Sequence, residues 1–217
     1  CFGYPREHCS THSNKSALSF MAKENAPLNI ALVGNPNTGK TSLFNQLTGL
    51  RQKVANYPGV TVEIKTGAMA EYQIIDFPGT YSLNSLSKDE QIAVEQLTNS
   101  VAQASTEVVV CVLDATRLER SLVFALQAQQ LALKANKPMV FVLNYIDQIK
   151  RFGHKIDLLE LANDLGAPVY ALSARTLDGI SEFKQALLTA EYKHPQHHTE
   201  ANALESTIEV VNFSRKL

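Results

Sequence analysis

Residues 34–42 read GNPNTGKTS and directly follow an apolar run, LNIALV. Within them, Gly34, Gly39, Lys40 and Thr41 fit the spacing G-x-x-x-x-G-K-[ST]. In that pattern the glycines let backbone N–H groups wrap a phosphate chain, the lysine reaches the β and γ phosphates, and the threonine hydroxyl binds Mg²⁺. The alternative is an ordinary glycine-rich turn. We predict a phosphate-binding loop made of Gly34, Asn35, Pro36, Asn37, Thr38, Gly39, Lys40, Thr41 and Ser42.

A second motif, D-x-x-G, closes the strand candidate YQIID. There the Asp76 carboxylate can hold Mg²⁺ through a water, and the Gly79 N–H can sense a γ-phosphate. The motif alone arises often by chance, so its value comes from its position at a strand end downstream of the loop. The predicted segment comprises Asp76, Phe77, Pro78 and Gly79.

Two later strand candidates end in polar residues that fit a guanine base. Asp147 can accept hydrogen bonds from the guanine N1–H and exocyclic amine, a donor pair that adenine lacks. The alternative for this N-x-x-D pattern is a helix cap. Ser173-Ala174-Arg175 follows the last strand and could aim a backbone N–H at the guanine O6. The predicted base site comprises Asn144, Tyr145, Asp147, Ser173, Ala174 and Arg175.

The elements that must position these motifs alternate between apolar strands and amphipathic helices. Strand candidates lie at 28–33, 62–68, 72–76, 107–114, 138–143 and 168–172. The segment 62–68 alternates apolar and polar residues, which is typical of an exposed edge strand. Near-continuous Val, Ile and Leu in the others indicates strands covered on both faces. The predicted fold is α/β: a Ras-like, P-loop G domain with a mainly parallel six-stranded sheet flanked by helices.

Helix periodicity predicts three buried faces. The first carries Leu43, Leu47 and Leu50. The second carries Leu158, Leu161, Ala162 and Leu165 and stops at Gly166. The third carries Ile180, Phe183 and Leu187.

Composition narrows the function classes. The net charge is −1, from 20 Lys+Arg and 21 Asp+Glu, so no basic excess indicates nucleic acid as a partner. The longest apolar runs are too short to span a bilayer. Three cysteines among 217 residues do not make a disulfide framework, which favours a reducing, cytoplasmic compartment.

Three segments are expected along the chain. Residues 1–25 form an N-terminal extension, either disordered or foreign to a chain that starts naturally at Met21. Residues 26–190 form the G domain. Residues 191–217 form a linker and the first part of a truncated helical domain carrying Leu204, Ile208 and Val211. Metal binding and simple disorder are alternatives for His8, Cys9, His12, His194, His197 and His198.

Two stretches resemble the N-terminal G domain of the FeoB ferrous iron transporters. They are GNPNTGKTSLFNQLTGLRQKVANYPGVTVEIKTG and DFPGTYSLNSLSKDE, and the similarity runs from Asn29 through Ala190. The resemblance implies a bacterial GTPase that binds GTP and GDP, fused to a helical spacer and a polytopic membrane domain. It places this part at the cytoplasmic face of the inner membrane, with homo-oligomers forming through the membrane protein. Tyr145, where the family usually has Met, and the N-terminal cysteine–histidine stretch depart from the pattern.

The hydrolytic machinery lacks the glutamine that Ras-like enzymes place after D-x-x-G. Thr80 occupies that position and is too short for the role, so we expect slow intrinsic turnover. No arginine is an obvious finger in cis. Similar GTPases that have an asparagine at the position of Asn37 use K⁺. In this chain the carbonyls of Ala55 and Tyr57 would complete the coordination shell of the ion. The alternative is that Asn37 only tolerates a strained loop backbone.

The resemblance also implies a switch residue, Thr61, that binds Mg²⁺ when the γ-phosphate is present. Its alternative is an ordinary β-branched residue at a strand start. With Gly59 and Val60 it completes the predicted nucleotide site. The predicted Mg²⁺ set is Thr41, Thr61 and, through water, Asp76. The predicted catalytic set is Lys40, Asn37, Thr61 and Gly79.

Three further interpretations concern the acidic residues of segment 87–90 and the function of the chain. Ser87-Lys88-Asp89-Glu90 is a capping box, which we favour over a role for its acids in catalysis. A soluble K⁺-dependent GTPase of ribosome or tRNA maturation would share the fold, although the charge balance argues against it. A nucleotide sensor that hardly hydrolyses GTP is the third.

Overall fold

The computed structural model describes residues 28–49, 52–56, 63–70, 72–83, 88–102, 106 and 108–189. The strands are β1 Leu28–Gly34, β2 Gln52–Asn56, β3 Glu63–Met69, β4 Tyr72–Asp76, β5 Val108–Asp114, β6 Met139–Asn144 and β7 Val169–Ala171. The helices are α1 Lys40–Thr48, α2 Lys88–Ala102, α3 Leu118–Lys134, α4 Ile146–Arg151, α5 Leu158–Leu165 and α6 Ile180–Thr189. A 3₁₀ turn, Ala115–Arg117, leads into α3.

The strands form one seven-stranded sheet in the order β2-β3-β4-β1-β5-β6-β7. Strands β4, β1, β5, β6 and β7 pair in parallel, whereas β3 is antiparallel to both β2 and β4. This confirms the predicted class, a mainly parallel sheet flanked by helices. All six predicted strands are present, and β2 is one strand that the sequence did not reveal.

Strand β3 is not the exposed edge that its alternating pattern indicated. It pairs with β2 along 52–56 and with β4 along 72–76, so the outer position in the described sheet belongs to β2. Ile64 and Gly67 lie on opposite faces of β3 and both are buried, whereas Lys65 and Ala68, also on opposite faces, are more exposed. The alternating sequence therefore does not correspond to one buried face and one solvent-exposed face.

The core lies on both sides of the sheet because the central strands are apolar on both faces. Every residue of β5 and β6 is buried. In β1, Ala31 and Val33 join a cluster with α3 and α5, whereas Ile30 and Leu32 join a cluster with α1 and α6. Each fully buried aliphatic side chain contributes about 1.5–3 kcal/mol. The sheet is thereby held as a fixed support for the loops at its edge.

Helix α5 begins and ends where its sequence predicts. The Asp157 carboxylate accepts two backbone N–H groups of the first turn at 3.0 Å each. Gly166 ends the helix with φ 59°, a left-handed conformation that favours glycine. Leu161 and Leu165 are buried on its inner face.

The other two predicted helical faces are confirmed for the residues described. Leu43 and Leu47 of α1 are buried, as are Ile180, Phe183 and Leu187 of α6. They pack in the same cluster, on one side of the sheet.

Some expectations lie outside the described residues. These are the extension 1–25, the linker and spacer 191–217, and Leu50. None of the helices in the described ranges is both long and apolar enough to cross a bilayer.

Candidate functional site

The carboxyl ends of the central strands meet at one edge of the sheet. In register, Gly34 lies opposite Val112, and Asp114 lies opposite Asn144, while Asp76 ends β4. Strand β1 lies between β4 and β5, and the strands that follow it along the chain are added on both sides of it. The strand order therefore reverses at β1. Crevices at such switch points are where open α/β sheets bind ligands.

The phosphate loop, residues 34–42, requires glycine at two positions. A Cβ on Gly34 would lie 2.6 Å from the Val112 carbonyl oxygen. A Cβ on Gly39 would lie 2.2 Å from the Asn144 amide nitrogen, and its φ of 80° is left-handed. Both glycines therefore permit close backbone packing that no other residue allows.

Helix α1 starts at the end of this loop. Its N-cap residue is Gly39, so no side chain at that position accepts a hydrogen bond from the first N–H groups of the helix. Lys40, only 7% exposed, contacts the Asp76 carboxylate and the Phe77 carbonyl oxygen with its ammonium group. An uncapped helix start and a buried cation together favour an anionic ligand, and a phosphate chain has that charge.

Oxygen donors beside Lys40 suit a magnesium ion. The Thr41 hydroxyl lies 3.3 Å from Oδ2 of Asp76. Mg²⁺ commonly binds one or two protein oxygens together with substrate phosphates and water. Within the described ranges no three His, Cys, Asp or Glu residues cluster as a metal site. Thr61, the third predicted ligand, lies outside the described residues.

Gly79 of the D-x-x-G segment packs against the phosphate loop. A Cβ there would lie 2.9 Å from the Pro36 nitrogen and 3.2 Å from the Asn35 carbonyl carbon. Only glycine permits this approach, which brings the Gly79 backbone next to the phosphate loop. Thr80, which stands in the place of a catalytic glutamine, is buried at 4% exposure.

Asn144 joins the phosphate loop to the base site. It is 1% exposed, and its amide nitrogen donates to the Thr38 carbonyl at 2.8 Å. Its amide oxygen accepts the Ala174 N–H at 3.0 Å. One buried side chain thus fixes 34–42 and 173–175 against the end of β6.

The two carboxylate oxygens of Asp147, the predicted guanine-binding residue, differ in their hydrogen-bond partners. Oδ2 accepts from the Arg175 guanidinium at 2.5 Å, whereas Oδ1 is buried with no hydrogen-bond partner among the described residues. The Arg175 hydrogen bond lowers the pKa of Asp147, desolvation by burial opposes that lowering, and the nearby Ser173 hydroxyl lowers the pKa further. The carboxylate is therefore ionised at neutral pH, as recognition of N–H donors requires.

Tyr145 contacts the phosphate loop directly. Its hydroxyl donates to the Asn37 carbonyl oxygen at 3.0 Å. Burial raises the pKa of Tyr145, with the charges of Asp114 and Asp147 adding to the shift, so the phenol keeps its proton. Asn37 itself has a left-handed φ of 66° and an exposed side chain. The strained backbone that was the alternative explanation for Asn37 is therefore real, and the side chain still lies at the surface of the loop.

Residues 81–83, which we call the docked segment, are held against α3. Gln127 accepts from the Leu83 N–H at 2.7 Å and from the Ser82 hydroxyl at 3.1 Å. The Arg120 guanidinium stacks 4.2 Å from the centre of the Tyr81 ring. Neither Arg120 nor Gln127 was selected from the sequence, since no local motif marks them.

Arginines do lie beside the phosphate loop, although the sequence singled out none. Arg117 and Arg120 line a cavity of about 20 Å³ together with residues 35–38. Sequence spacing gave no signal for this, because the two arginines follow the loop by about eighty positions along the chain. The fold brings the two arginines beside the loop, because the chain passes through several strands and helices before it reaches the start of α3.

The cavity with the right chemistry for a nucleotide is a groove of about 440 Å³. It is lined by Asn35, Pro36, Asn37, Gly39, Lys40, Thr41, Ser42, Gly79 and Tyr145. Its volume lies within the usual range for ligand pockets, about 300–1,000 Å³. A larger cavity of about 590 Å³ opens between the start of α3 and α4, but none of the predicted site residues lines it.

The structure brings together the four described parts of the predicted site: 34–42, 76–79, 144–147 and 173–175. Gly59, Val60, Thr61 and Tyr57 lie outside the described residues, as do the cysteine–histidine and histidine segments near the two ends. Ala55 is described only as part of strand β2. Helix α2 begins at Lys88, where the capping box predicts, and Ser87 lies outside the described residues.

Comparison with known proteins identifies a family. Residues 28–187 match the family model described as ferrous iron transport protein B. The Fe(2+) transporter FeoB of Leptospira biflexa is 44% identical over 167 residues, which cover 75% of this chain and 23% of that protein. The Fe(2+) transporter FeoB of Salmonella typhimurium is 41% identical over 168 residues, covering 74% and 21%. The chain thus spans less than a quarter of the length of these relatives.

Solved structures agree in fold. A mutant of S. thermophilus NFeoB bound to GDP is 36% identical with a TM-score of 0.68, over 83% of this chain and 70% of that one. The cytosolic domain of L. pneumophila FeoB is 36% identical with a TM-score of 0.66, over 86% of this chain and 87% of that one. The G domain of T. maritima FeoB is 39% identical with a TM-score of 0.61, over 74% of this chain and 96% of that one. Because the family model covers most of the chain and these folds agree, the chain belongs to the FeoB family of ferrous iron transport proteins, and its described part is the G domain.

Proposed function

We propose that this chain binds and hydrolyses GTP, and that its nucleotide state controls Fe(II) uptake by a bacterial membrane transporter of which it is the cytosolic part. The observation that carries the nucleotide assignment is Asn144, whose buried amide ties the phosphate loop to the loop after β7. That contact brings Lys40 and Asp147, the two charges a guanine nucleotide needs, to one edge of the sheet. The relatives that match are named as Fe(2+) transporters, and one similar structure is bound to GDP.

Guanine selectivity would come from Asp147. Its ionised carboxylate can accept both the N1–H and the exocyclic amine of guanine, and adenine offers neither donor at those positions. Ala174 N–H donates to Asn144 and Ser173 N–H donates to the Asp178 carbonyl. Of the backbone N–H groups in the predicted 173–175 loop, that of Arg175 would therefore serve the base O6. Leaving the carboxylate unpaired is what would reject ATP.

Hydrolysis would depend on charges placed around the phosphates. Lys40 would bind the β and γ phosphates, and Thr41 with Asp76 would hold Mg²⁺, which supplies positive charge to the transferred group. Thr80 is too short to orient the attacking water as a glutamine does, so slow intrinsic turnover is expected. Asn37, exposed at the surface of the loop, is the side chain that would help hold K⁺.

The transport role belongs to the longer polypeptide. A helical spacer and a polytopic membrane domain would follow this part, and the G domain would lie at the cytoplasmic face of the inner membrane. Homo-oligomers would form through the membrane part. Magnesium, potassium, GTP and GDP are the ligands of the proposed site, and nucleic acid is not a proposed partner.

Nucleotide selectivity tests the assignment. The wild-type chain should bind GDP at least about a thousandfold more tightly than ADP, since an unsatisfied hydrogen-bonding site rejects analogues strongly. Asp147→Ala should remove most of that preference, whereas Asp178→Ala, an exposed carboxylate paired with Lys150, should retain it. Calorimetric titration measures both. Equal affinity of the wild type for GDP and ADP would exclude a guanine-specific domain.

Monovalent cations test the proposed role of Asn37. We expect faster GTP turnover in KCl than in NaCl, and loss of that difference in Asn37→Ala. Phosphate release at constant ionic strength measures it. Equal rates in the two salts, unchanged by the substitution, would rule out the ion.

A transport assay tests the coupling. Fe(II) uptake by cells carrying the full-length protein should fall to background with Asp147→Ala, while the amount of protein in the membrane stays the same. Uptake at the wild-type level would contradict control by the nucleotide.

A further inference from the structure

The carboxylate of Asp147 already has one committed oxygen. Oδ2 accepts from Nη2 of Arg175 at 2.5 Å, and this charge-assisted contact is the one salt bridge of Asp147 among the described residues. Oδ1 is buried and accepts no hydrogen bond within the same ranges. The two oxygens that a guanine base would use are therefore not equivalent.

A guanine base presents two donors to such a carboxylate. The N1–H and the exocyclic amine point in parallel, so each pairs with a different oxygen. Within the described ranges, Oδ1 of Asp147 holds no hydrogen-bond partner that the first donor would have to displace. The other oxygen is shared with a guanidinium, which is a stronger hydrogen-bond donor than a neutral amine because it carries charge.

Arg175 can leave this contact at little cost. Its side chain is 71% exposed, whereas that of Asp147 is 13% exposed. Ion pairs with an exposed partner are worth little, because solvent screens them and the long side chain loses conformational freedom. The pair is therefore weak enough to be displaced and strong enough to affect binding measurably.

The loop that carries Arg175 is held by other groups. Ala174 N–H donates to the Asn144 amide oxygen at 3.0 Å, and Ser173 N–H donates to the Asp178 carbonyl at 2.9 Å. Removing the Arg175 side chain leaves both hydrogen bonds in place. A substitution there tests the guanidinium and not the position of the loop.

We propose that Arg175 is a specificity-determining residue that competes with the exocyclic amine of guanine for Oδ2 of Asp147. This deepens the proposed function and rests on it. The consequence is that the wild-type chain gains less from the amine than the geometry of Asp147 alone would allow. Arg175 lowers the affinity for guanine nucleotides while leaving the single contact to N1–H undisturbed.

Inosine diphosphate separates the two donors, because hypoxanthine has the N1–H but lacks the amine. Affinities of GDP and IDP should be measured by calorimetry with the full chain as wild type, Arg175→Ala, Arg175→Lys and Arg151→Ala. Arg151 is an exposed arginine at the end of α4 and serves as the matched control. Arg175→Ala should bind GDP about two- to fivefold more tightly, the range that an exposed ion pair covers, with IDP affinity unchanged.

Salt gives an independent readout. Raising the ionic strength screens the Arg175–Asp147 pair, so the ratio of IDP to GDP dissociation constants should rise in the wild type and stay flat in Arg175→Ala. Arg175→Lys, which keeps the charge but loses the planar fork, should lie between them. A purely structural role would weaken GDP and IDP binding by the same factor in Arg175→Ala.

That equal weakening, or an unchanged ratio, would overturn the proposal while leaving the proposed function intact. Failure of the proposed GTP-binding function would show in a separate measurement, the affinity for GDP relative to ADP. If the wild-type chain bound GDP no better than ADP, the guanine assignment would be wrong, and the inference about Arg175 would fall with it.

Discussion

Two regions border the phosphate loop and are held by different kinds of contact. On the base side, the 1%-exposed Asn144 side chain makes two hydrogen bonds to backbone groups. On the opposite side, the docked segment 81–83 is held by two side chains of α3, Arg120 and Gln127, and Arg120 is exposed. Tyr81 at its start is itself 42% exposed.

The difference determines what each region can do. Breaking a buried hydrogen bond leaves an unsatisfied group and costs about 1–3 kcal/mol for each one, whereas an exposed cation–π contact contributes about 0.5–1 kcal/mol. The base side is therefore a fixed recognition surface. The docked segment directly follows the D-x-x-G motif and is held by this exposed contact and by partly buried hydrogen bonds to Gln127. It can therefore be released at a smaller cost than the base side, which suits a part that responds to the γ-phosphate.

Replacing Asn144 should produce the largest effect. In Asn144→Ala, the Thr38 carbonyl and the Ala174 N–H both lose their buried partner, and GDP affinity should fall by about a hundredfold or more. Asn163→Ala, on the exposed face of α5, is the control. Calorimetry gives the affinity, and thermal unfolding should show a lower melting temperature for Asn144→Ala only.

Asn144→Asp sharpens this test, because the aspartate keeps an acceptor for the Ala174 N–H but cannot donate to Thr38. Because this buried carboxylate would oppose the Thr38 carbonyl oxygen and the phosphates, the GDP affinity of this variant should be no higher than that of the alanine variant. GDP affinity within about threefold of the wild type in both variants would show that the base side is not fixed in this way.

Much of this edge could be predicted from the sequence because its signals are local. The strands that end at Gly34, Asp76 and Asn144 are near-continuous apolar runs, and a chemically specific motif follows each one. Parallel strands place their carboxyl ends together, so strand order and motif position were enough to assemble the site.

What the sequence did not reveal depends on contacts between distant positions. Gln127 and Leu83 are 44 positions apart, and Asn144 and Thr38 are 106 apart, so no spacing rule relates them. Strand β2 has a short and only partly apolar sequence, QKVAN, and is recognisable through its pairing with β3. Once that pairing is known, β3 is no longer an edge strand.

Removing Gln127 should have a smaller effect, and on a different quantity. In Gln127→Ala, the partly buried Leu83 N–H loses its acceptor, which costs about 1–1.5 kcal/mol of docking and corresponds to about tenfold. GTP hydrolysis in a single turnover should slow by up to about tenfold because Gly79 and Thr80 lose their support. GDP affinity should change by less than about twofold.

Gln130→Ala, an exposed glutamine one turn further along α3, is the matched control and should behave as the wild type. A large loss of GDP affinity in Gln127→Ala would contradict the division between the two regions. So would hydrolysis at the wild-type rate.

Removing Arg120 should have the smallest effect of the three. The guanidinium stacks 4.2 Å from the Tyr81 ring centre at the surface, where such contacts contribute about 0.5–1 kcal/mol. Arg120→Ala should therefore slow hydrolysis about two- to fivefold with GDP affinity unchanged. Tyr81→Phe keeps the aromatic face and should retain the wild-type rate, whereas Tyr81→Leu should match Arg120→Ala. The double variant of Arg120→Ala and Tyr81→Leu should be no slower than either single one, since both remove the same contact. Additive losses would mean that Arg120 acts on the phosphates directly, from the small cavity that it lines beside residues 35–38, and not through the docked segment.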